Sequence, residues 1–202
     1  MIAVVDVCGG NLRSVAKALA AVEAEVVVTR DPDVVRAADK IVVPGQGAFA
    51  PFMHGLVERG LEDPIRDAID AGKPYLGICL GLQVLFDESE EHGPVRGLAI
   101  LPGRVVRFAP TDPAIKVPHM GWNRVTRHQD DPLLLTVTPS THFYFVHSYH
   151  AVPDDPAMIA LSSDHGEPFC AAVRAGNVFA CQFHPEKSSA AGLELLACFV
   201  LS

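Results

Sequence analysis

The residues best suited to chemistry lie in the segment Pro74–Gln83, where Cys79 stands between Gly77 and Gly81. An apolar run precedes this Gly-x-Cys-x-Gly pattern and apolar helix-forming residues follow it. The pattern therefore predicts a strand, a sharp turn and a helix, with the thiol at the turn. The glycines suit such a turn because strand and helix must approach closely around a strained nucleophile. The helix would direct its N-terminus at the sulfur, which favours a nucleophilic thiolate.

A base for this nucleophile is present in the segment Phe183–Ser188, which follows an apolar run predicted to be a strand. His184 is expected to take up and return a proton, and Glu186 to fix the tautomer of the imidazole. A single buried cysteine is usually a small apolar residue, and a His-Pro-Glu sequence is usually a loop. The presence of both at strand ends favours a triad of Cys79, His184 and Glu186, since catalytic partners are commonly adjacent in space rather than in sequence.

These two motifs together resemble the class I (triad) glutamine amidotransferases. Three further segments are similar to the glutaminase subunits of imidazole glycerol phosphate synthase, namely Gly10–Val15, Lys116–Asn123 and Phe143–Tyr149. The resemblance runs from about Ile2 to Phe199. It implies hydrolysis of L-glutamine to glutamate and ammonia through a cysteine thioester, without a cofactor or metal. It also implies a heterodimer with a cyclase subunit, a (β/α)8 barrel, that uses the ammonia to make imidazole glycerol phosphate and an aminoimidazole carboxamide ribonucleotide in histidine biosynthesis.

Further site residues are expected around the triad. The backbone N–H of Leu80, next to the nucleophile, is one expected oxyanion donor, and the peptide at Gly45 and Gln46 is the other. Gln46 departs from the family pattern, in which valine is usual. The resemblance implies that the substrate is bound by Gly45, Gly47, Gln83, His147, Ser148 and Tyr149. It implies that the partner subunit is contacted by Asn11, His119, Trp122 and Lys187.

The β-α alternation of the first half, with nearly all-apolar strands, predicts an α/β fold of three layers, in which helices cover both faces of a central, mostly parallel sheet. The predicted strands there are 2–7, 26–28, 41–43 and 75–79, and the predicted helices are 12–22, 33–38, 52–60 and 63–71. The second half predicts a smaller antiparallel or mixed sheet from strands 98–108, 143–152, 158–162, 169–174 and 178–183. An amphipathic helix is expected at the C-terminus.

Composition limits the functional classes. The 202 residues suggest one domain, 1–202, and the net charge of −8 disfavours nucleic acid or an anionic membrane as a partner. No apolar run approaches the ~18 residues of a membrane helix, and no basic region of a signal peptide opens the chain. Five cysteines without Cys-x-x-Cys spacing argue against disulfides and zinc, and indicate a reducing, cytoplasmic setting. The histidines lack metal-ligand spacing and are expected to be structural or exposed.

Three alternatives remain open from the sequence. The chain could be a glutaminase subunit of another synthase, in vitamin B6, purine or anthranilate synthesis, but Lys116–Asn123 argues against this. It could be a catalytically idle relative that acts as a binding module, although all three triad residues are present. It could also be a cysteine peptidase on the same fold, which the position of Gln83 disfavours.

Overall fold

The computed structural model describes residues 1–202 and contains fourteen strands and six α-helices. The strands are β1 (Ile2–Val5), β2 (Val26–Thr29), β3 (Lys40–Gly45), β4 (Tyr75–Cys79), β5 (Glu88–Ser89), β6 (Val95–Arg96), β7 (Gly103–Arg107), β8 (His119–Arg124), β9 (Thr126–Arg127), β10 (His142–His147), β11 (Tyr149–Pro153), β12 (Ile159–Asp164), β13 (Pro168–Ala175) and β14 (Val178–Cys181). The helices are α1 (Leu12–Ala21), α2 (Pro32–Ala37), α3 (Phe49–Glu58), α4 (Glu62–Asp70), α5 (Leu80–Gln83) and α6 (Ser189–Leu201).

Eight strands form the central sheet, in the order β2-β1-β3-β4-β14-β13-β12-β9. The five strands from β2 to β14 run parallel, and the last three are antiparallel to their neighbours. In register, Gly45 of β3 pairs with Cys79 of β4, and Cys181 of β14 pairs with Ile78. The carboxyl ends of β3, β4 and β14 therefore meet at one edge, where ligands bind in open α/β sheets.

Apolar residues are buried on both faces of this sheet, which explains why its strands are apolar throughout. On β4, Leu76 and Ile78 join a core that includes Leu195 of α6. Tyr75 joins the core on the other face, together with Phe52 of α3. The predicted three-layer arrangement is confirmed. No helix in residues 1–202 is long and apolar enough to cross a bilayer.

The second half differs from the prediction in detail. It holds two smaller sheets, the β8–β10 ribbon and a four-stranded sheet β11-β7-β5-β6. The strand predicted over 143–152 is wrong as one element, because it breaks at Ser148 into β10 and β11, which belong to different sheets. Of the strand predicted over 98–108, only β7 forms a strand. The N–H groups of Leu98 and Ile100 donate instead to the carbonyls of Val84 and Leu85, which holds that stretch against the residues after α5.

Candidate active site

Cys79 occupies a strained position between β4 and α5, with φ 56° and ψ −105°. A non-glycine residue adopts this backbone conformation only where its surroundings impose it. A Cβ on Gly77 would collide with the carbonyl of Gly81, and one on Gly81 would collide with the carbonyl of Val43. The hydroxyl of Tyr75 donates to that Gly81 carbonyl at 2.8 Å. The predicted turn is therefore present, although its helix α5 is only one turn long.

His184 follows the end of β14 and is fixed by backbone and side-chain contacts. Its N–H donates to the carbonyl of Tyr144 at 2.9 Å, and its own carbonyl accepts from the Ser188 hydroxyl at 2.6 Å. The ring atom Nδ1 lies 2.8 Å from Oε1 of Glu186, and both side chains are buried. This carboxylate selects the tautomer that keeps the proton on Nδ1, which leaves Nε2 for the nucleophile.

The charge state of His184 depends on its two partners. Burial by itself lowers the pKa of His184, but the interactions with the Cys79 sulfur and with the Glu186 carboxylate outweigh burial and raise the pKa to about 9. An imidazole in this setting is protonated near neutral pH and can deliver that proton to a leaving group. The structure thus brings together the three residues predicted to form the triad.

Asn11 extends this arrangement by one residue. It stands at the N-cap position of α1, but its side chain makes no capping hydrogen bond. Its Nδ2 donates instead to Oε1 of Glu186 at 2.6 Å. Asn11 therefore helps to fix the position of the Glu186 carboxylate. The contact of Asn11 with a partner subunit stays a prediction.

A pocket of about 410 Å³ opens over the sulfur. The predicted site residues that line it are Gln46, Gly47, Cys79, Leu80, Gln83, His147, Ser148, Tyr149, His184 and Lys187. Gly45 lies just behind the pocket, close enough to the side chains of Leu80 and Phe52 that a Cβ there would overlap both. The volume lies within the range of about 300–1,000 Å³ that is usual for small-molecule sites.

Two polar residues, one lining the pocket and one beside the Cys79 sulfur, were not predicted to belong to the site. Glu91 lines it, and its Oε2 accepts the N–H of Phe49 at 2.7 Å, which anchors the carboxylate at the start of α3. Gln182 is fully buried, and its Nε2 donates to the Cys79 sulfur at 3.5 Å. Glu91 gives no local signal, because an acidic residue in a turn usually faces solvent. A polar residue directly after an apolar strand, two positions before His184, was a signal for Gln182.

The segment after β3 lies beside Cys79, because Gly45 pairs with Cys79 in register. Gly47 has φ +100°, a conformation that favours glycine. The Gln46 side chain packs over Gly10, where it would collide with any Cβ. The Gln46 side chain therefore brings the loop after β3 into contact with the loop between β1 and α1.

The outer face of the β8–β10 ribbon adjoins the pocket. Met120 and Trp122 are 64% and 53% exposed, and Trp122 pairs with Tyr144 on β10. Lys187, on the pocket rim, places its Nζ 5.9 Å from the Tyr144 ring centroid. His119 was predicted at the partner surface, and this prediction needs correction. Residues alternate along β8, so His119 points inward and is 5% exposed.

Comparison with known proteins decides the family. The chain matches the model of the class-I glutamine amidotransferases over residues 3–202. The chain belongs to the class-I glutamine amidotransferases. Imidazole glycerol phosphate synthase subunit HisH from Nitrosomonas europaea is 51% identical, covering 98% of this chain and 97% of that protein. The HisH subunit from Methylococcus capsulatus is 53% identical, covering 98% and 95%. A solved structure of a glutamine amidotransferase superposes with a TM-score of 0.74 at 20% identity, covering 96% and 95%.

These likenesses confirm the predicted family, fold class and enzyme class. Within the amidotransferases, the chain groups with the HisH subunits at about half identity over nearly the full length of both proteins. This grouping favours the HisH subunits over the alternative of a glutaminase subunit of another synthase. The solved glutamine amidotransferase supports only the shared fold, because its sequence identity is low.

The four buried histidines of this amidotransferase differ in their surroundings. His119, His147 and His150 are buried and pack against Phe108 and other aromatic rings. Burial lowers the pKa of His119 to about 4 and the pKa of His147 well below its usual value. No group of histidine, cysteine or carboxylate side chains in residues 1–202 is arranged to hold a metal ion. These three histidines are therefore structural, and their lowered pKa values favour the neutral form, whereas the pKa of His184 is raised.

Proposed function

We propose that Cys79, His184 and Glu186 hydrolyse L-glutamine and that the ammonia passes to a cyclase subunit. The observation that carries the proposal is the strained Cys79 at the sheet edge, with a buried His184–Glu186 pair beside it. A strained thiol, a base and a carboxylate that orients the base are the parts of a nucleophilic acyl-transfer site.

The reaction proceeds in two steps. The Cys79 sulfur attacks the carboxamide carbon of glutamine, and His184 gives its proton to the departing nitrogen, so that ammonia leaves and a thioester remains. His184 then takes a proton from the water that attacks the thioester, which releases glutamate and the Cys79 thiolate and leaves His184 protonated for the next cycle. The negative oxygen formed in each step is held by the N–H of Leu80 and by the peptide at Gly45 and Gln46.

The pocket also binds the α-ammonium and α-carboxylate groups of glutamine. Glu91 is the carboxylate on its wall and binds the α-ammonium group. Backbone groups of Gly47, Ser148 and Tyr149 bind the α-carboxylate. Both ring nitrogens of His147 are engaged internally, so only its backbone is available to the substrate. Both hydrogens of the Gln83 amide are engaged as well, which leaves its carbonyl oxygen for the substrate.

The partner is a cyclase subunit with a (β/α)8 barrel, docked on the ribbon and the pocket rim. HisH relatives carry the name of a synthase subunit, which supports a partner. Met120 and Trp122 are exposed apolar side chains beside the pocket, and such anchors are typical of protein interfaces. Ammonia released into water would become ammonium, so a pocket that opens against the partner keeps the product reactive.

Labelling of the thiol tests the catalytic proposal. A chloroketone analogue of glutamine is expected to modify Cys79 ahead of the four other cysteines, and excess glutamine is expected to protect it. Cys79→Ala should abolish glutamine-dependent synthesis by the complex while ammonia-dependent synthesis continues. Cys8→Ala, at an exposed thiol, is the matched control and should behave like the parent. Glutaminase activity retained in Cys79→Ala would refute the assignment.

Calorimetric titration with the cyclase subunit tests the interface. Trp122→Ala is expected to weaken binding by about 2 kcal/mol, roughly 30-fold, if this side chain is a central anchor. Leu135→Ala is the control, because Leu135 is 72% exposed and lies off the ribbon. Equal affinities of the parent and Trp122→Ala would place the partner on another face.

A further inference from the structure

Gln182 is a fully buried polar side chain that touches the reacting sulfur. Its backbone N–H donates to the carbonyl of Ala171 at 2.8 Å, which fixes the chain just after β14. Its Nε2 lies 3.5 Å from the Cys79 sulfur. A buried amide needs hydrogen-bond partners for its polar atoms, and the amide N–H of Gln182 takes the sulfur of the nucleophile as its acceptor. Neither acyl transfer nor substrate binding, as described above, assigns Gln182 a role.

The orientation of the Gln182 amide follows from its neighbours. Gln83 Nε2 donates to the carbonyl of Tyr149 at 3.0 Å and to Oε1 of Gln182 at 2.9 Å. Reversing the Gln83 amide would set its oxygen against the Tyr149 carbonyl. Reversing the Gln182 amide would set two N–H groups against each other. The arrangement with Gln182 Nε2 facing the sulfur is therefore the one that satisfies every group.

The hydrogen bonds continue from the Tyr149 carbonyl into the β8–β10 ribbon. The Tyr149 carbonyl also accepts from His147 Nδ1 at 2.8 Å, so His147 Nε2 is an acceptor. It lies 3.0 Å from Nδ1 of His119, whose Nε2 lies 3.1 Å from Nδ2 of Asn123. A continuous hydrogen-bond network thus links Asn123 to Cys79, and within it His147 Nδ1 and Gln83 Nε2 both donate to the Tyr149 carbonyl. It requires two neutral rings, in agreement with the lowered pKa values of His119 and His147.

We propose that Gln182 is a positioning residue that holds the Cys79 sulfur toward the substrate pocket through its amide N–H, with the network from Asn123 fixing that amide. The inference rests on the proposed function, because it assigns Gln182 a part in the same reaction. An N–H donor binds an anionic sulfur more strongly than a neutral one, so Gln182 favours the nucleophilic form and restricts its direction. The sulfur thus interacts with two groups: His184, which gains and loses a proton during the reaction, and the Gln182 amide, which does not.

Two variants separate the functions of the amide. Gln182→Glu keeps the size of the side chain and the acceptor for Gln83 but loses the donor to the sulfur. Gln182→Leu loses both. The readouts are the rate of Cys79 alkylation by iodoacetamide as a function of pH, followed by mass spectrometry, and the steady-state glutaminase constants of the complex. The other titratable groups facing the pocket are unchanged in both variants, namely Glu91, His147, Tyr149, His184 and Lys187.

Gln182→Glu is expected to slow alkylation at neutral pH by about 10- to 100-fold, and to move the half-maximal rate to higher pH. Its kcat should fall by a similar factor, while KM for glutamine stays within about twofold. Gln182→Leu should lower kcat and also raise KM, because Gln83 loses its acceptor. If Gln182 only filled space, the uncharged variant Gln182→Leu would alter thermal stability and leave the pH profile of alkylation in place.

Controls distinguish failure of this inference from failure of the proposed function. Gln129→Glu introduces the same charge away from the pocket and should leave alkylation unchanged. If both Gln182 variants fold and are alkylated at the parental rate at every pH, the inference is wrong while the triad stands. If glutamine fails to protect Cys79 in the parent protein, the proposed function itself is wrong. Should Gln182→Glu not fold, the pH profile of Gln182→Leu decides the question.

Discussion

His184 and His147 are buried to a similar extent, 4% and 7% exposed, and both line the pocket over Cys79. Their pKa values nevertheless move in opposite directions. Burial lowers both, but the sulfur of Cys79 and the carboxylate of Glu186 raise the pKa of His184 to about 9. The pKa of His147 stays well below its usual value, because burial outweighs the hydrogen bond to the Tyr149 carbonyl, which raises it.

The difference shows that hydrogen-bond partners, and not burial, decide which histidine carries charge. Anionic partners compensate the cost of burying an imidazolium ion, whereas neutral acceptors compensate only a fraction of it. The two regions consequently have separate tasks. In the proposed reaction His184, oriented by Glu186, moves a proton during each cycle. The region of His119 and His147 keeps fixed tautomers that hold the Tyr149 carbonyl in place.

The largest effect is expected from removing the charged histidine. His184→Ala should lower glutamine-dependent turnover by about 10⁶-fold, as in comparable triads whose members act as a unit. Ammonia-dependent synthesis by the complex is the internal control for folding and assembly. A loss smaller than that caused by His147→Ala would reverse the proposed division of tasks.

Neutralising the carboxylate should have a smaller effect. Glu186→Gln keeps the shape of the side chain but removes the charge, and turnover should fall by about 10⁴-fold. The pKa of His184 should fall at the same time, because one of the two groups that raise it is lost. Rate measurements and NMR titration of the ring check the two effects. A Glu186→Gln enzyme slower than His184→Ala would show that the two roles are interchanged.

The two regions should also affect stability on opposite sides of pH 6.5. The raised pKa of His184 contributes stability that is fully present below pH 6.5 and is lost as pH rises toward 9. The lowered pKa of His119 contributes stability that is present above pH 6.5 and is lost as pH falls toward 4. Each contribution is at most about 3–4 kcal/mol.

Urea unfolding across this pH range measures both contributions. His184→Gln should flatten the alkaline side of the stability curve, and His119→Asn should flatten the acid side. Parallel curves for the parent and both variants would contradict the assigned charge states.

A subtler test uses His119 alone. His119→Leu removes the donor to His147 Nε2 and leaves a buried acceptor without a partner, which should cost about 1–3 kcal/mol of unfolding free energy. His119→Asn can place its amide N–H where Nδ1 lies and should recover part of that loss. Turnover should fall by less than about tenfold in either variant, since neither touches the reacting atoms. Equal destabilisation by Leu and Asn would show that packing, and not the hydrogen bond, is the contribution of His119.

The contacts around Cys79, His184 and Glu186 can be predicted from the sequence better than those around His119 and His147, for a physical reason. The turn at Cys79 follows from adjacent residues, because Gly77 and Gly81 meet within one strand–turn–helix unit. Glu186 lies two positions from His184, so their contact is local as well. These short-range constraints leave a pattern that can be recognised without knowing the fold.

The neutral region depends on contacts between residues far apart in the chain. His119 meets His147 because β8 pairs with β10, and the inward direction of His119 follows from an alternation that the sequence did not reveal as a strand. The break at Ser148 likewise arises where the chain changes from one sheet to another. Gln182 reaches Cys79 only because β14 lies beside β4 in parallel register.

The most direct test of the contrast is NMR of the imidazole nitrogens in protein labelled with ¹⁵N-histidine, recorded across the pH range. The account predicts that His184 carries protons on both nitrogens at neutral pH and loses one near pH 9. It predicts that His119 and His147 carry a proton only on Nδ1 and remain neutral until the pH falls well below 6.5. A neutral His184 at pH 7, or a His147 that titrates near 6.5, would contradict it.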